Sequence, residues 1–191
     1  MRPDGRPSGP GRPDQARVFF ALWPDDRVRA GLQRAATDGA RRFGGRAMLP
    51  DTLHLTLAFI GNVAVDEIPK LEEAAAGVQA PAFCLTLDRL GFWDHNRILW
   101  MGSRGGVAGL AQLASDLGGR LQAAGYGTGI KAGRPFAPHV TLVRNVLAKR
   151  PELPDMQALT WDCDHFVLVR SRLSSRGAAY ETIGRWPLHS C

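Results

Sequence analysis

Two stretches of the chain decide its fold and its chemistry: residues 53–60, LHLTLAFI, and residues 134–142, RPFAPHVTL. Each contains His-x-Thr-Leu within a run of apolar and β-branched residues, a pattern typical of a β-strand. Because successive side chains of a strand point to opposite faces, the His and the Thr of each motif share one face. The aliphatic residues occupy the other face. Each strand is therefore predicted to be anchored in a core and to present an imidazole beside a hydroxyl.

The two motifs together suit phosphodiester chemistry better than either does alone. The chain has only five histidines, and two of them, His54 and His139, stand in matching positions. If the two halves of the chain pack around a pseudo-two-fold axis, both His/Thr pairs face one cleft. One neutral imidazole can then accept a proton while one imidazolium donates a proton. Thr56 and Thr141 can donate hydrogen bonds to phosphoryl oxygens, and no metal is required.

The remaining sequence predicts a mixture of strands and helices without strict alternation. Predicted strands cover residues 17–23, 52–60, 82–90, 97–101, 139–144, 165–172 and 179–185. Predicted helices cover residues 24–42, 65–77 and 107–124, and Gly61-Asn62 is expected to end the second strand. This order favours an α+β fold over a doubly wound parallel sheet.

Composition narrows the class of protein. The 191 residues carry a net charge of +6, which suits an anionic partner such as nucleic acid or a phosphate ester. No apolar run is long enough to cross a membrane. Three scattered cysteines make a disulfide framework or a zinc site improbable, so we expect no metal, no cofactor and a cytoplasmic location. Residues 1–16 are expected to be a disordered tail, and residues 17–191 a single domain.

The motifs and their surroundings resemble the 2H phosphoesterases, and within them the RNA 2′,3′-cyclic phosphodiesterases, also called 2′–5′ RNA ligases. The similarity spans residues 17–188, from VFFAL at residues 18–22 to the segment that ends in WPL at residues 186–188. The second motif with its Arg-Pro-Phe-x-Pro lead is the most specific part. The resemblance implies a bilobal fold with two antiparallel sheets and flanking helices around a central cleft, and it implies a monomer.

The resemblance also implies an activity: hydrolysis of 2′,3′-cyclic phosphates, at RNA ends or in cyclic nucleotides, to 2′-phosphomonoesters. Weak, reversible 2′–5′ ligation is implied as well. His139 would act as the base that activates water, and His54 as the acid that protonates the leaving oxygen. The residues themselves leave the two roles open, because either histidine can be acid or base.

Several further residues are candidates for substrate binding. Arg46 precedes the first motif, and relatives use an arginine at the position of Arg144 on the phosphate, although strand alternation places Arg144 on the face opposite His139. Five aromatic residues are candidates for stacking on a nucleobase: Phe19, Phe20, Phe59, Phe136 and Trp93. Of these, Phe20 and Phe136 are predicted to bind substrate.

Two alternative functions remain open from the sequence. One is a 2H phosphodiesterase that acts on another small cyclic nucleotide or on an oligoadenylate. The other is an RNA-binding module in which the histidines only form hydrogen bonds. The matched pair of His and Thr residues argues against pure binding, because binding needs no acid–base pair. Turnover of a 2′,3′-cyclic mononucleotide distinguishes these possibilities.

Overall fold

A computed structural model of the protein describes residues 14–128, 136–174 and 177–189. The strands in chain order are β1 (Gln15–Leu22), β2 (Arg46–Ala47), β3 (Leu55–Ala64), β4 (Phe83–Leu87), β5 (Arg89–Trp93), β6 (Ile98–Gly102), β7 (Val140–Arg144), β8 (Leu159–Cys163), β9 (His165–Ser174) and β10 (Gly177–Pro187). The helices are α1 (Asp26–Phe43), α2 (Ile68–Ala76) and α3 (Ala108–Ala123).

Two antiparallel sheets form the framework, which confirms the predicted α+β class. The large sheet has eight strands in the order β10-β9-β1-β3-β7-β6-β5, with β2 paired to β7, and the small sheet pairs β4 with β8. The helices cover the large sheet, with α1 packed on β7 and α3 packed on β3. One face of the large sheet is therefore buried under helices, and the opposite face is available for a cleft.

The predicted helices form where the sequence places them. Asp25 caps α1, and its carboxylate accepts a hydrogen bond from the backbone N–H of Val28 at 2.7 Å. The leucines of α3 repeat at helical spacing, and all four are buried: Leu110, Leu113, Leu117 and Leu121. No helix within the described parts of the chain is long and apolar enough to span a membrane.

Strand β3 departs from the prediction that Gly61-Asn62 would end it. The strand continues to Ala64, because Gly61 adopts a φ of 91° that other residues rarely tolerate. Leu57 and Ile60 have no partner on β1, while the residues on either side of each remain paired. The chain therefore accommodates extra residues as bulges instead of leaving the sheet.

The ordered region and some of its strands differ from the sequence-based bounds. Strand β1 begins at Gln15, two residues inside the predicted tail, while residues 1–13 lie outside the described residues. Strands β2 and β8 were not predicted from the sequence. The strand predicted over residues 82–90 is divided into β4 and β5, and β5 continues to Trp93. The extent of the domain stays a prediction.

One predicted site residue belongs to the core. Phe20 is fully buried and packs against Phe166 and Trp186, with ring centroids 6.3 Å and 5.9 Å away. Alternation along β1 places Phe20 on the face covered by helices, and its neighbour Phe19 on the opposite face. The prediction that Phe20 binds substrate is therefore wrong.

Replacing Phe20 with alanine is expected to lower the free energy of unfolding by about 3–5 kcal/mol, because it leaves a large cavity in the core. Urea denaturation measures this change. Leu147→Ala is the control, since Leu147 is 68% exposed and should change stability by less than about 0.5 kcal/mol. A loss below about 1 kcal/mol for Phe20→Ala would contradict this placement of the side chain.

Candidate active site

The two motifs meet at a single residue pair between neighbouring strands. Leu55 of β3 pairs with Val140 of β7 in antiparallel register, and both side chains are fully buried. Extending this register by one residue in each direction places His54 opposite Thr141 and His139 opposite Thr56. The four side chains therefore lie on the face away from the core, related by a local two-fold axis that passes between Leu55 and Val140.

This register brings the two histidines within reach of one phosphate group. They occupy diagonal positions of an antiparallel pair, where Cβ atoms are roughly 7–8 Å apart. His54, Thr56, His139 and Thr141 all line one cleft of about 840 Å³. Among the described residues, the cleft contains three cationic side chains and no carboxylate: Arg17, Arg46 and Arg144. An anion placed between the histidines would meet cationic and hydrogen-bonding groups and no carboxylate among these residues.

Both imidazoles are oriented by the same local hydrogen bond. His54 Nδ1 lies 2.8 Å from the carbonyl oxygen of Thr52, and His139 Nδ1 lies 2.8 Å from the carbonyl oxygen of Ala137. A carbonyl can only accept, so Nδ1 carries the hydrogen in each ring and Nε2 keeps the lone pair when the ring is neutral. The Thr56 hydroxyl then donates to His54 Nε2 at 3.2 Å.

Burial favours the neutral form of both histidines in the free protein. It lowers the pKa of His54 to about 4, against the opposing hydrogen bond to Thr52, and the nearby His139 and Arg144 lower it further. Burial also lowers the pKa of His139, again opposed by a backbone hydrogen bond and assisted by Arg144. A bound phosphate would act in the opposite direction, because an anion stabilises the imidazolium form.

Different aromatic side chains surround the two histidines. The His54 ring lies 4.8 Å from Phe19, 5.6 Å from Trp23 in a stacked orientation, and 5.3 Å from Tyr180. The His139 ring meets the Trp93 ring edge to face at 4.4 Å. The motifs are thus symmetric in the sheet but differ in environment, with His54 the more deeply enclosed.

A bulge explains how Arg144 reaches the cleft. Arg144 is five residues after His139, and in a regular strand this odd number would place it on the opposite face. Val143 pairs with Leu99 and Thr141 pairs with Trp100, so Leu142 is an extra residue without a partner on β6. Such a bulge shifts the alternation by one residue. Arg144 therefore lies on the same face as Thr141 and is exposed in the cleft.

The other predicted binding residues divide into two groups. Arg46 lines the cleft and pairs with Arg144 across β2 and β7. Phe136 does not line the cleft: it packs against the core and borders a separate cavity beside Leu110. Phe136 is half-buried and is absent from the lining of the cleft that holds the histidines, so its role in substrate binding stays a prediction. Arg134 and Pro135, which precede it, lie outside the described residues.

The cleft residues that the sequence did not single out include Arg17, Asn96 and Tyr180. Alternation along β1 places Arg17, Phe19 and Trp23 on one face. The sequence therefore predicts that they lie together, but not that their face forms the cleft. Tyr180 lies on β10 and is brought beside Phe19 only by the order of the strands. No local pattern indicates this contact.

Within the described ranges, no group of three or more His, Cys, Asp or Glu side chains is placed to hold a metal ion. Cys84 and Cys163 are free thiols on the small sheet, and Cys191 lies outside the described residues. The Nε2 atoms of the paired histidines have no third His, Cys, Asp or Glu beside them among the described residues that line the cleft. Metal independence itself stays a prediction.

Comparisons with known proteins identify the family of this chain. Residues 22–100 match the family described as LigT like phosphoesterase. The RNA 2′,3′-cyclic phosphodiesterase of Escherichia coli K12 is 34% identical over 90% of this chain and 96% of its own length. The corresponding protein of Thermus thermophilus is 29% identical over 90% of each chain.

Solved structures lead to the same family. The crystal structure of E. coli LigT complexed with 3′-AMP has a TM-score of 0.82 and 31% identity, covering 92% of this chain and 99% of that chain. A structure of TT0787 from T. thermophilus has a TM-score of 0.72 and 27% identity, covering 91% and 98%. Because a relative more than 30% identical is matched over nearly its whole length, the chain belongs to the LigT-like 2H phosphoesterase family.

Proposed function

We propose that this protein hydrolyses 2′,3′-cyclic phosphates at RNA ends to 2′-phosphomonoesters by acid–base catalysis with two histidines. The observation that carries the proposal is the cross-strand arrangement of the motifs, in which each histidine faces the threonine of the other motif in a cationic cleft. The name of the relatives, RNA 2′,3′-cyclic phosphodiesterase, supports the substrate class.

The proposed reaction is an in-line displacement at phosphorus. His139 Nε2 removes a proton from water as the water oxygen forms a bond to phosphorus. The P–O3′ bond breaks on the opposite side, and His54 donates a proton from Nε2 to O3′, which leaves the phosphate on O2′. The two histidines exchange protonation states over one turnover, and proton exchange with solvent restores them.

The threonines and arginines act on the phosphoryl oxygens that do not leave. Thr56 and Thr141 lie on opposite sides of the local two-fold axis, so each hydroxyl can donate to a different nonbridging oxygen. The Thr56 hydroxyl is held at His54 Nε2 in the free protein; it becomes available to the phosphate once His54 is protonated. Arg144 supplies positive charge beside the phosphate, and Arg46 lies next to Arg144 on β2.

The free protein must acquire one proton before it can turn over substrate. His54 is the proposed acid, yet its pKa of about 4 leaves it unprotonated near neutral pH. The anionic substrate raises this pKa on binding, since it introduces a negative charge beside both rings. Substrate binding and protonation of the acid are therefore coupled.

The remaining sequence-based expectations keep the status of predictions. These are the monomeric state, the cytoplasmic location and weak 2′–5′ ligation. Ligation would use the same two histidines in reverse, with an RNA 5′-hydroxyl as the nucleophile in place of water. Action on another cyclic nucleotide or an oligoadenylate uses the same groups and is distinguished from the proposal by the preferred substrate.

Thr56→Ala and Thr141→Ala are each expected to slow turnover of a 2′,3′-cyclic nucleotide by about 10- to 10³-fold, the scale on which a transition-state hydrogen-bond donor acts. Steady-state kcat values measure the effect, with thermal unfolding as the check on the fold. Thr86→Ala is the matched control, because Thr86 is a half-buried strand threonine on the small sheet. Full activity in both cleft variants would show that the threonines only help to form the strands and do not act in catalysis.

The pH dependence of kcat/KM is expected to be bell-shaped with its maximum below pH 6.5. One histidine must be neutral and the other protonated in the free enzyme, so the maximum lies between their two pKa values, and both are lowered from 6.5. The kcat profile should lie at higher pH, because bound phosphate raises both values. Profiles measured from pH 4 to 9 decide this, and a kcat/KM that still rises above pH 8 would exclude the mechanism.

The roles of the two histidines are separated by a substrate whose leaving group needs no proton. A phosphodiester with nitrophenoxide as leaving group should restore most activity to His54→Ala and little to His139→Ala, because only the acid becomes dispensable. Initial rates of both variants on natural and activated substrates provide the comparison. Equal recovery would leave the assignment unsupported, and recovery of His139→Ala alone would exchange the roles.

A further inference from the structure

A second, smaller apolar cluster lies on the cleft face of the large sheet, apart from the main core. Trp23 and Tyr180 pack against its four buried members, which are Phe19, Ala21, Val167 and Val169. The His54 ring lies against this cluster, with its centroid 4.8 Å from that of Phe19, 5.6 Å from Trp23 and 5.3 Å from Tyr180. The proposed proton donor is therefore enclosed by aromatic rings.

Cross-strand register places Trp23 directly opposite His54. Leu22 of β1 pairs with Leu55 of β3, and the next two residues in this antiparallel register are Trp23 and His54. Pro24 follows Trp23 and restricts it to extended backbone, so its side chain keeps the direction that it would have within the strand. The planes of the Trp23 and His54 rings are parallel to within 5°. The indole therefore presents a face, not an edge, to the imidazole.

Trp23 can influence the reaction only through His54. Trp23 is half-buried and is not among the described residues that line the cleft, whereas Phe19 and Tyr180 are. The hydrogen bond from His54 Nδ1 to the carbonyl oxygen of Thr52 fixes one side of the imidazole ring, and the stacked indole restricts its rotation. A substitution at Trp23 changes the surroundings of His54 without removing a contact to the substrate.

No carboxylate among the described residues of the cleft is available to stabilise the imidazolium form of His54. The other charged and titratable groups that line the cleft are His139 and Arg144 of β7, Arg46 of β2, Arg17 of β1 and Tyr180 of β10. The two groups on β7 lower the pKa of His54, and burial lowers it more than they do. Stabilisation of the imidazolium must therefore come from the bound phosphate together with neutral groups that contact the ring.

An aromatic face is a neutral group that stabilises a cation. Among side chains the indole face does so most strongly, and the attraction acts within about 6 Å of the ring centroid. The imidazole of His54 lies within that range of Trp23. Aliphatic side chains in the same place would also remove water from His54 but would not attract its charged form. Aromatic neighbours thus offset part of the desolvation that they cause.

We propose that Trp23 is a positioning residue for the proton donor: its indole face orients the His54 ring and stabilises the imidazolium form of that ring. This inference rests on the proposed function and adds a residue to it. The proton passes from His54 Nε2 to O3′ as the P–O3′ bond breaks, so the attraction to the indole acts before proton transfer and is lost after it. The attraction makes His54 a weaker acid but raises its protonated fraction. The second effect is larger, because proton transfer is only partial in the transition state.

Trp23→Leu tests this role in turnover, because leucine keeps an apolar contact and removes the aromatic face. The informative range is the high-pH side of the profile, where kcat falls with rising pH and is proportional to the protonated fraction of His54. There, kcat for a 2′,3′-cyclic nucleotide is expected to fall by about 2- to 10-fold, within the range that a cation–π contact supplies. Trp23→Phe, which keeps an aromatic face, should lose less.

A phosphodiester with nitrophenoxide as leaving group separates an effect on the acid from a general loss of structure. This leaving group needs no proton, so the deficit of Trp23→Leu should disappear with it. Trp93→Leu is the matched variant, because Trp93 contacts His139, the proposed base, at 4.4 Å between ring centroids. Any deficit of Trp93→Leu should persist on both substrates. An equal deficit of Trp23→Leu on both substrates, or none on the cyclic nucleotide, would overturn the proposal.

A titration that needs no turnover separates failure of this inference from failure of the proposed function. NMR spectra of the His54 ring, recorded against pH with saturating inorganic phosphate, give its pKa in the occupied cleft. Trp23→Leu should raise the acid dissociation constant of the imidazolium by about 2- to 30-fold, so its pKa falls. A lower pKa supports the inference even if no cyclic phosphate is hydrolysed. An unchanged or higher pKa contradicts it even if hydrolysis is rapid.

Fluorinated tryptophan provides the same test without a change of side-chain shape. Fluorine withdraws negative charge from the face of the indole, so its incorporation into the wild-type protein should also lower the pKa of His54. Among the five tryptophans of the chain, the contribution of Trp23 is isolated by comparison with Trp23→Phe, in which fluorination of the others should leave this pKa unchanged. No change in the wild-type protein, or an equal change in both proteins, would exclude Trp23 as the source of the effect.

Discussion

The active geometry depends on one antiparallel residue pair, Leu55 with Val140. Both side chains are fully buried, so a shift of register by one residue would expose apolar groups and bury the imidazoles and hydroxyls in the core. The hydrophobic effect that stabilises the sheet therefore also fixes the two His/Thr pairs against each other. A stability requirement and a catalytic requirement are met by the same contact.

The sheet is symmetric at this pair, but the surroundings make the two histidines unequal. Three aromatic rings enclose His54, while His139 meets Trp93 edge to face. Burial accordingly lowers the pKa of His54 to about 4. Two identical motifs can thus take different protonation states, because desolvation acts more strongly on one of them. In the free protein this difference favours the proton on His139, the proposed base, so protonation of His54, the proposed acid, depends on the bound phosphate.

Two-residue alternation predicted the motif face, and helical spacing predicted α3, but alternation failed wherever a bulge adds a residue to a strand. His54 and Thr56 share a face as two-residue spacing requires. Arg144 and Phe59 reach the cleft only because Leu142 and Leu57 are extra residues in their strands. Bulges form by competition between pairing and packing across strands distant in sequence, and no local pattern encodes that competition. Phe20 was assigned to substrate for a related reason, since the sequence does not show which face of β1 is covered by helices.

The same bulges explain why the cleft is longer than the four motif residues require. A regular β3 would direct Phe59 into the core with Ala58 outward, because alternation continues without interruption. The extra residue reverses this order, so Ala58 is buried at 2% exposure and Phe59 is exposed at 39%. Because Phe59 is not in the core, the protein loses the stabilising free energy of burying a large apolar side chain, about 1.5–3 kcal/mol. The exposed ring lies in the cleft wall, and the guanidinium of Arg17 lies over it. Together they form a surface suited to a planar anionic ligand.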